Sequence, residues 1–171
     1  MAPLRYILIA IALLALGVLF WLQLARDSTG TGGRETVTIA GETFSLEVAA
    51  DASLRERGLM GREEIEPHEG MIFVFPRAER RSFWMGHCLV DIDLIFLNEA
   101  GRVVAIHAMT AEAPQGSDES DQEYRDRMPD YPSGGPAQFA IELRSGTIAR
   151  LGIEIGDRID LDFRPLKQLA R

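Results

Sequence analysis

The sequence predicts a mainly-β fold: a single antiparallel β-sandwich or barrel-like domain with two short helices, preceded by an N-terminal transmembrane helix. Three observations lead there. Apolar runs at Met71–Phe75, Phe83–Met85 and Ile92–Leu97 are short and separated by charged, Pro- or Gly-marked turns, as strands crossing a compact core are. Alternating apolar and polar residues recur before and after this block, over residues 36–48 and 157–163. Finally, Tyr6 to Leu22 holds no charged residue, and about 20 apolar residues suffice to span a hydrocarbon core as a helix.

Residues 1–26 are accordingly expected to be a membrane anchor. A cleaved signal peptide would need a shorter apolar centre and small residues before the cut, whereas Phe20-Trp21-Leu22-Gln23-Leu24-Ala25 stays bulky. No Cys ends the segment, which excludes lipoprotein attachment. The basic residues flanking it, Arg5 before and Arg26 and Arg34 after, are nearly balanced, so orientation rests on the very short N-terminal tail. Such a tail stays inside, leaving the rest outside the cytoplasm, in the periplasm for a Gram-negative source. Residues 27–34, which include DSTGTGG, read as a flexible tether. Residues 35–171 suit one domain.

Within that domain, Glu35–Ala40 and Thr43–Val48 alternate on either side of Gly41-Glu42 and form a β-hairpin. Ser53–Arg57 reads as a short helix stopped by Gly58. The three apolar runs follow, then Asn98-Glu99-Ala100-Gly101 turns the chain into Arg102–Met109, closing a second hairpin. Ala137–Leu143 and Asp157–Phe163 are the last strands, with a short helix at Ser145–Leu151 closed by Gly152. Residues 110–135 break the rhythm: they are poor in apolar side chains and contain Asp118-Glu119-Ser120-Asp121-Gln122-Glu123. This acidic run lacks the ligand spacing and central glycine of a calcium loop, so it reads as a solvated loop.

Composition narrows the function. The net charge is −8, and more negative once Arg5 is set aside with the anchor, which disfavours nucleic acid and anionic lipid surfaces. Cys88 is the single cysteine, so no intrachain disulfide supports the fold. There is no Gly-rich phosphate loop, no Gly-x-Ser-x-Gly and no His-Glu-x-x-His. No cofactor is implied.

The central block carries a recognisable pattern: Arg57-Gly58-Leu59-Met60-x-Arg62, Glu69-Gly70-Met71-x-Phe73-x-Phe75, Phe83-Trp84-Met85 and Asp93-x-x-Phe96. It continues through Gly101-Arg102-Val103-Val104, Tyr131, Ala140-Ile141-Glu142-Leu143, Gly146, Leu151-Gly152-Ile153 and Gly156-Asp157. Together these resemble domain-of-unknown-function family 192. The resemblance implies a small mainly-β domain, usually exported or membrane-anchored, with no established activity. Where that family usually reads Trp-Met-Lys-Asn-Thr, this chain has Trp84-Met85-Gly86-His87-Cys88, and residue roles cannot be carried over there.

The candidate site residues are Asp93, Arg57, Arg62, Trp84, His87 and Tyr131. Asp91 and Asp93 share a strand face opposite Ile92, Leu94 and Phe96. The face could be wet, or Asp93 could be buried with Arg57, Arg62 or the Gly58–Gly61 turn as donors. Trp84 with Phe83, Phe73 and Phe75 is most simply core. Tyr131 could line a groove with the long loop. Met85, His87, Cys88, His107 and Met109 offer the soft ligands a copper-type metal selects, but Met and a lone Cys are ordinary core residues and no pair has metal-ligand spacing. The leading expectation is a membrane-tethered, extracytoplasmic binding module for a small molecule or protein partner. The alternatives are an enzyme using Asp93 with Arg57 or Arg62, or His87, in a cleft, and a soft-metal binding protein.

Overall fold

A computed structural model describes residues 33–170. The expected anchor, residues 1–26, and all but the last two residues of the tether lie outside the described residues. Among the described residues no helix is long and apolar enough to cross a membrane.

Six strands form one sheet: β1 (Arg34–Ile39), β2 (Glu42–Ala49), β3 (Glu69–Glu79), β5 (Ile92–Leu97), β6 (Val103–Met109) and β8 (Ala137–Arg144), in the order β1-β2-β3-β8-β5-β6. Two more, β4 (Ser82–Phe83) and β7 (Tyr131–Pro132), pair separately. Among the described residues the helices are short: α1 (Ala52–Arg57), α2 (Asp121–Asp126), α3 (Thr147–Leu151) and α4 (Phe163–Leu169). The domain is thus mainly β, as the sequence predicts, but the sheet is mixed and does not close into a barrel. The exception to antiparallel pairing is β2 with β3, which are joined through α1; a parallel pair needs such a crossover rather than a tight turn.

Both faces of the sheet are buried. On one, Val37, Phe44, Leu46, Ile72, Ile95, Phe139 and Ile141 pack with α3, α4 and the segment between them. On the other, Met71, Phe73, Phe75, Leu94, Phe96 and Ala140 pack beneath Leu54, Leu59, Met85 and Cys88. Double burial explains why Ile92–Leu97 and Met71–Phe75 read as continuous rather than alternating runs. Since β8 sits between β3 and β5, residues 80–91 cannot pair into the sheet and cross its second face instead. For that reason only Phe83 of the expected Phe83–Met85 strand is paired, as the end of β4.

Two further expectations are corrected. Asp157–Phe163 alternates like a strand, but it touches the sheet through single bridges, Arg102 with Arg158 and Thr38 with Asp160. Its alternation still serves the core, since Ile159 and Phe163 are buried, and Asp162 ends it by accepting from the Arg164 N–H at the start of α4. The long loop is not structureless either. Ser120 and Glu123 form a reciprocal capping box on α2, and buried Tyr124 and Met128 fasten it to the domain.

Asp93 is 2 % exposed, and its expected pairing with Arg57 or Arg62 does not form. Its neighbours Ile95 and Leu97 belong to the first face, so Asp93 points away from α1 and toward α3. There its Oδ2 accepts the Ile148 backbone N–H at 2.7 Å, satisfying a donor that the first turn of a helix leaves open. Arg62 instead donates to Glu47 at 2.7 Å. Asp93→Ala is expected to destabilise the domain by about 1–3 kcal/mol, and Asp93→Asn by less because its carboxamide oxygen still accepts. Urea unfolding of the two variants checks the order; equal losses would mean the hydrogen bond is not the source.

Candidate functional site

A cavity of about 470 Å³ opens on the second face, between α1 with its following turn and the crossing segment. Phe73 and Phe75 of β3 form its floor with Glu142 of β8, while Phe83, Trp84, His87 and Cys88 form one wall. Leu59 and Met60 close another, and Arg55, Glu56 and Arg57 stand on the α1 side. Apolar surface dominates, with a few polar groups converging, as small-molecule sites usually require.

The backbone around the cavity is held tightly. Helix α1 begins with Asp51 accepting from Leu54 N–H and ends at Gly58, whose φ is +50°. A Cβ on Gly58 would stand 3.3 Å from the Phe73 ring and 3.5 Å from Glu142 Oε2, so a glycine lets the turn descend onto the carboxyl. His87 has φ +54°, an uncommon conformation for a non-glycine residue. It is clamped on both sides: its N–H donates to Tyr124 Oη at 2.9 Å, and its carbonyl accepts from Gly61 N–H at 2.9 Å. Gly86 has a different role. A Cβ there would lie 2.4 Å from the Trp84 indole, so the ring rests directly over the residue 86 backbone. Arg125 over its face at 5.0 Å and the edge of Tyr124 at 6.1 Å fix it further. The long loop therefore braces one wall of the site from behind, through the contacts of Tyr124 and Arg125 with Trp84 and His87.

Glu142 is the chemical centre. It is 5 % exposed, flanked in β8 by Ile141 and Leu143, and set in the apolar second face. The Leu59 backbone N–H donates to its carboxyl, while Oε2 has no hydrogen-bond partner among the described residues. Burial pushes its acid up to about 8, against the smaller opposing pull of the Arg62 charge and the Leu59 N–H. At neutral pH this side chain is a carboxylic acid that can donate as well as accept. Cys88 shares the desolvated site; burial first, and the Glu142 charge second, push its thiol up to about 12. A thiol so protonated is a poor nucleophile.

The candidates taken from the sequence divide. Arg57, Trp84 and His87 line the cavity. Arg62 acts on it only through charge, and Asp93 lies on the opposite sheet face, so an enzyme built on Asp93 with Arg57 or Arg62 has no cleft to work in. Tyr131 pairs with Phe83 in the small sheet and packs on His107. Trp84 is half-buried and belongs to the cavity wall rather than the core. The soft-metal set does not come together: Met85, Cys88 and Met109 are packed in the apolar core, His87 lies against Tyr124, and His107 Nε2 is 2.8 Å from the Pro132 carbonyl. Among the described residues no group of three or more His, Cys, Asp or Glu is placed to hold a metal ion. Glu142 and Tyr124 were not singled out from the sequence. The signal for Glu142 was the same one that drew attention to Asp93, a lone acid in an apolar strand.

Comparison with known proteins agrees with this architecture. Residues 35–161 match the family described as Uncharacterized ACR, domain of unknown function 192, and the chain belongs to that family. A crystal structure of a Sinorhizobium meliloti 1021 protein, proposed there to be a transcription regulator, is 31% identical with a TM-score of 0.58, over 74% of this chain and 89% of that one. A Novosphingobium aromaticivorans DSM 12444 protein of unknown function is 30% identical with a TM-score of 0.57, over 75% of this chain and 84% of that one. No curated protein matches the chain.

The folded state holds the Glu142 proton more tightly than the unfolded chain does, since its acid is raised. Its contribution to stability is therefore complete below about pH 4.5 and is lost as pH rises to about 8. Glu142→Gln keeps the shape without the charge, so its stability relative to wild type should improve across that window by on the order of a few kcal/mol. Urea unfolding at pH 5, 6.5 and 8 measures this; parallel curves for the two proteins would refute it.

Proposed function

We propose that this protein is a binding module, tethered to a membrane with its domain outside the cytoplasm, that takes a small, largely apolar molecule into the cavity over Glu142. The observation that carries the reading is the combination of a buried, unpartnered carboxyl oxygen with walls of Phe73, Phe75, Phe83 and Trp84. A buried polar atom without a partner costs free energy, and a ligand group reaching it would recover that cost. Burial keeps the Cys88 thiol at this cavity protonated and a poor nucleophile, which favours binding over catalysis. The regulator proposal attached to the Sinorhizobium protein is not extended to nucleic acid here, because a net charge of −8 repels a phosphate backbone. The uncharged run from Tyr6 to Leu22 supports the tether.

Two measurements test this. In the full-length chain carrying Trp21→Phe, Trp84 is the sole tryptophan. Benzyl alcohol should change its emission saturably, and Phe83→Ala should weaken that binding at least fivefold while the domain remains folded. Binding that is indifferent to Phe83→Ala would place the ligand elsewhere. For the tether, N-terminal sequencing of protein recovered from membranes should begin at or next to Met1; a mature chain starting near Arg26 would exclude the anchor.

A further inference from the structure

Resting on this pocket reading, we propose that the ligand carries an uncharged hydrogen-bond acceptor, a carbonyl of the amide, ketone or ester kind, on a compact apolar body. Glu142 donates to it through Oε2. Three observations select this class over a cation or an anion. The Leu59 N–H already supplies the carboxyl with a donor, and Glu142, whose buried Oε2 has no partner among the described residues, lines a cavity that is mainly aromatic and aliphatic. Arg55 and Arg57 stand at the same cavity and the Arg62 charge reaches Glu142 from the following turn, so the local field opposes an incoming cation. A cation would also have to strip its own water and ionise the acid, two costs that a buried ion pair repays only with close geometry. An anion would face the carboxyl directly, with Glu56 at the same cavity adding to the repulsion.

A neutral acceptor avoids each of these costs. Burial, which pushes the Glu142 acid up to about 8, keeps the proton in place: at neutral pH the carboxyl is mostly protonated, the arrangement by which a carboxylic acid serves as a donor in an apolar site. The charged and titratable groups around it are Arg55, Glu56 and Arg57 on α1, Arg62 on the turn, and His87 and Cys88 on the crossing segment. Cys88, pushed up to about 12, stays protonated through the range where Glu142 ionises.

The test uses the full-length Trp21→Phe chain and Trp84 emission, with two probes: N,N-dimethylbenzamide, an acceptor without donors, and benzyltrimethylammonium, a cation at every pH. Dimethylbenzamide is expected to bind at pH 6.5 and about tenfold more weakly at pH 9, following loss of the Glu142 proton. Glu142→Gln, whose amide still donates, should bind within about threefold of wild type with no dependence on pH. Glu142→Met, which has no donor, should bind about tenfold more weakly at both pH values. If the ammonium binds more tightly than the amide and gains affinity at pH 9, Glu142 is a counter-ion and the inference is overturned while the pocket stands. If amide binding is the same at both pH values in wild type, the donor role is overturned. If neither probe nor benzyl alcohol perturbs Trp84, the pocket reading falls with it.

Discussion

The constraint from which the rest of this structure follows is the burial of both faces of its central strands. Every side chain of β5, and of β8 up to Leu143, is buried, so a polar group there must find a partner within the protein or give up its charge. The two acids on these strands resolve this differently. Asp93 faces one layer and keeps its place by accepting the Ile148 N–H. Glu142 faces the other layer, receives one N–H from Leu59, and remains protonated at neutral pH. Their neighbours in the register, Leu143 beside Asp93 and Leu94 beside Glu142, are all but indistinguishable in sequence. Only the identity of the covering layer separates a structural acid from one that faces a cavity.

That covering layer is assembled from pieces far apart in the chain. The turn after α1, the crossing segment and the α2 loop meet at His87, whose N–H and carbonyl are held by Tyr124 and Gly61. A residue at positive φ held from two sides resists rearrangement, so the wall of the cavity is pre-formed. Gly86 contributes by omission, since the indole of Trp84 occupies the volume a side chain would fill. The departure from the usual family wording at residues 86–88 therefore has a physical consequence in the placement of a wall residue.

Much of the fold was legible because it depends on local chemistry. The β1–β2 and β5–β6 hairpins, the stop of α1 at Gly58 and the closure of α3 at Gly152 all follow from turn residues and periodicity. What escaped was set by partners distant in sequence. The parallel β2–β3 pair and the insertion of β8 between β3 and β5 leave no local trace. Asp157–Phe163 alternates correctly but finds no continuous neighbour. The capping box at Ser120 and Glu123 was readable, yet lay hidden in an acidic run that reads as solvated. Of the site, Trp84, His87 and Arg57 were found as residue types. Glu142 was passed over because nothing local says which face of a doubly buried strand carries a hollow.

The position of β8 also governs when the domain can fold. The β1-β2-β3 and β5-β6 groups share no ladder of their own; within the sheet each is joined to β8, and residues 157–160 add single bridges to both. Until residues 137–144 are available, β3 and β5 each present a bare apolar edge, which is a template for pairing with other chains. Completion must wait for contacts of long sequence separation, which slows folding. A chain that releases its last strands late, or loses them to truncation, therefore leaves two sticky half-sheets rather than a smaller stable domain.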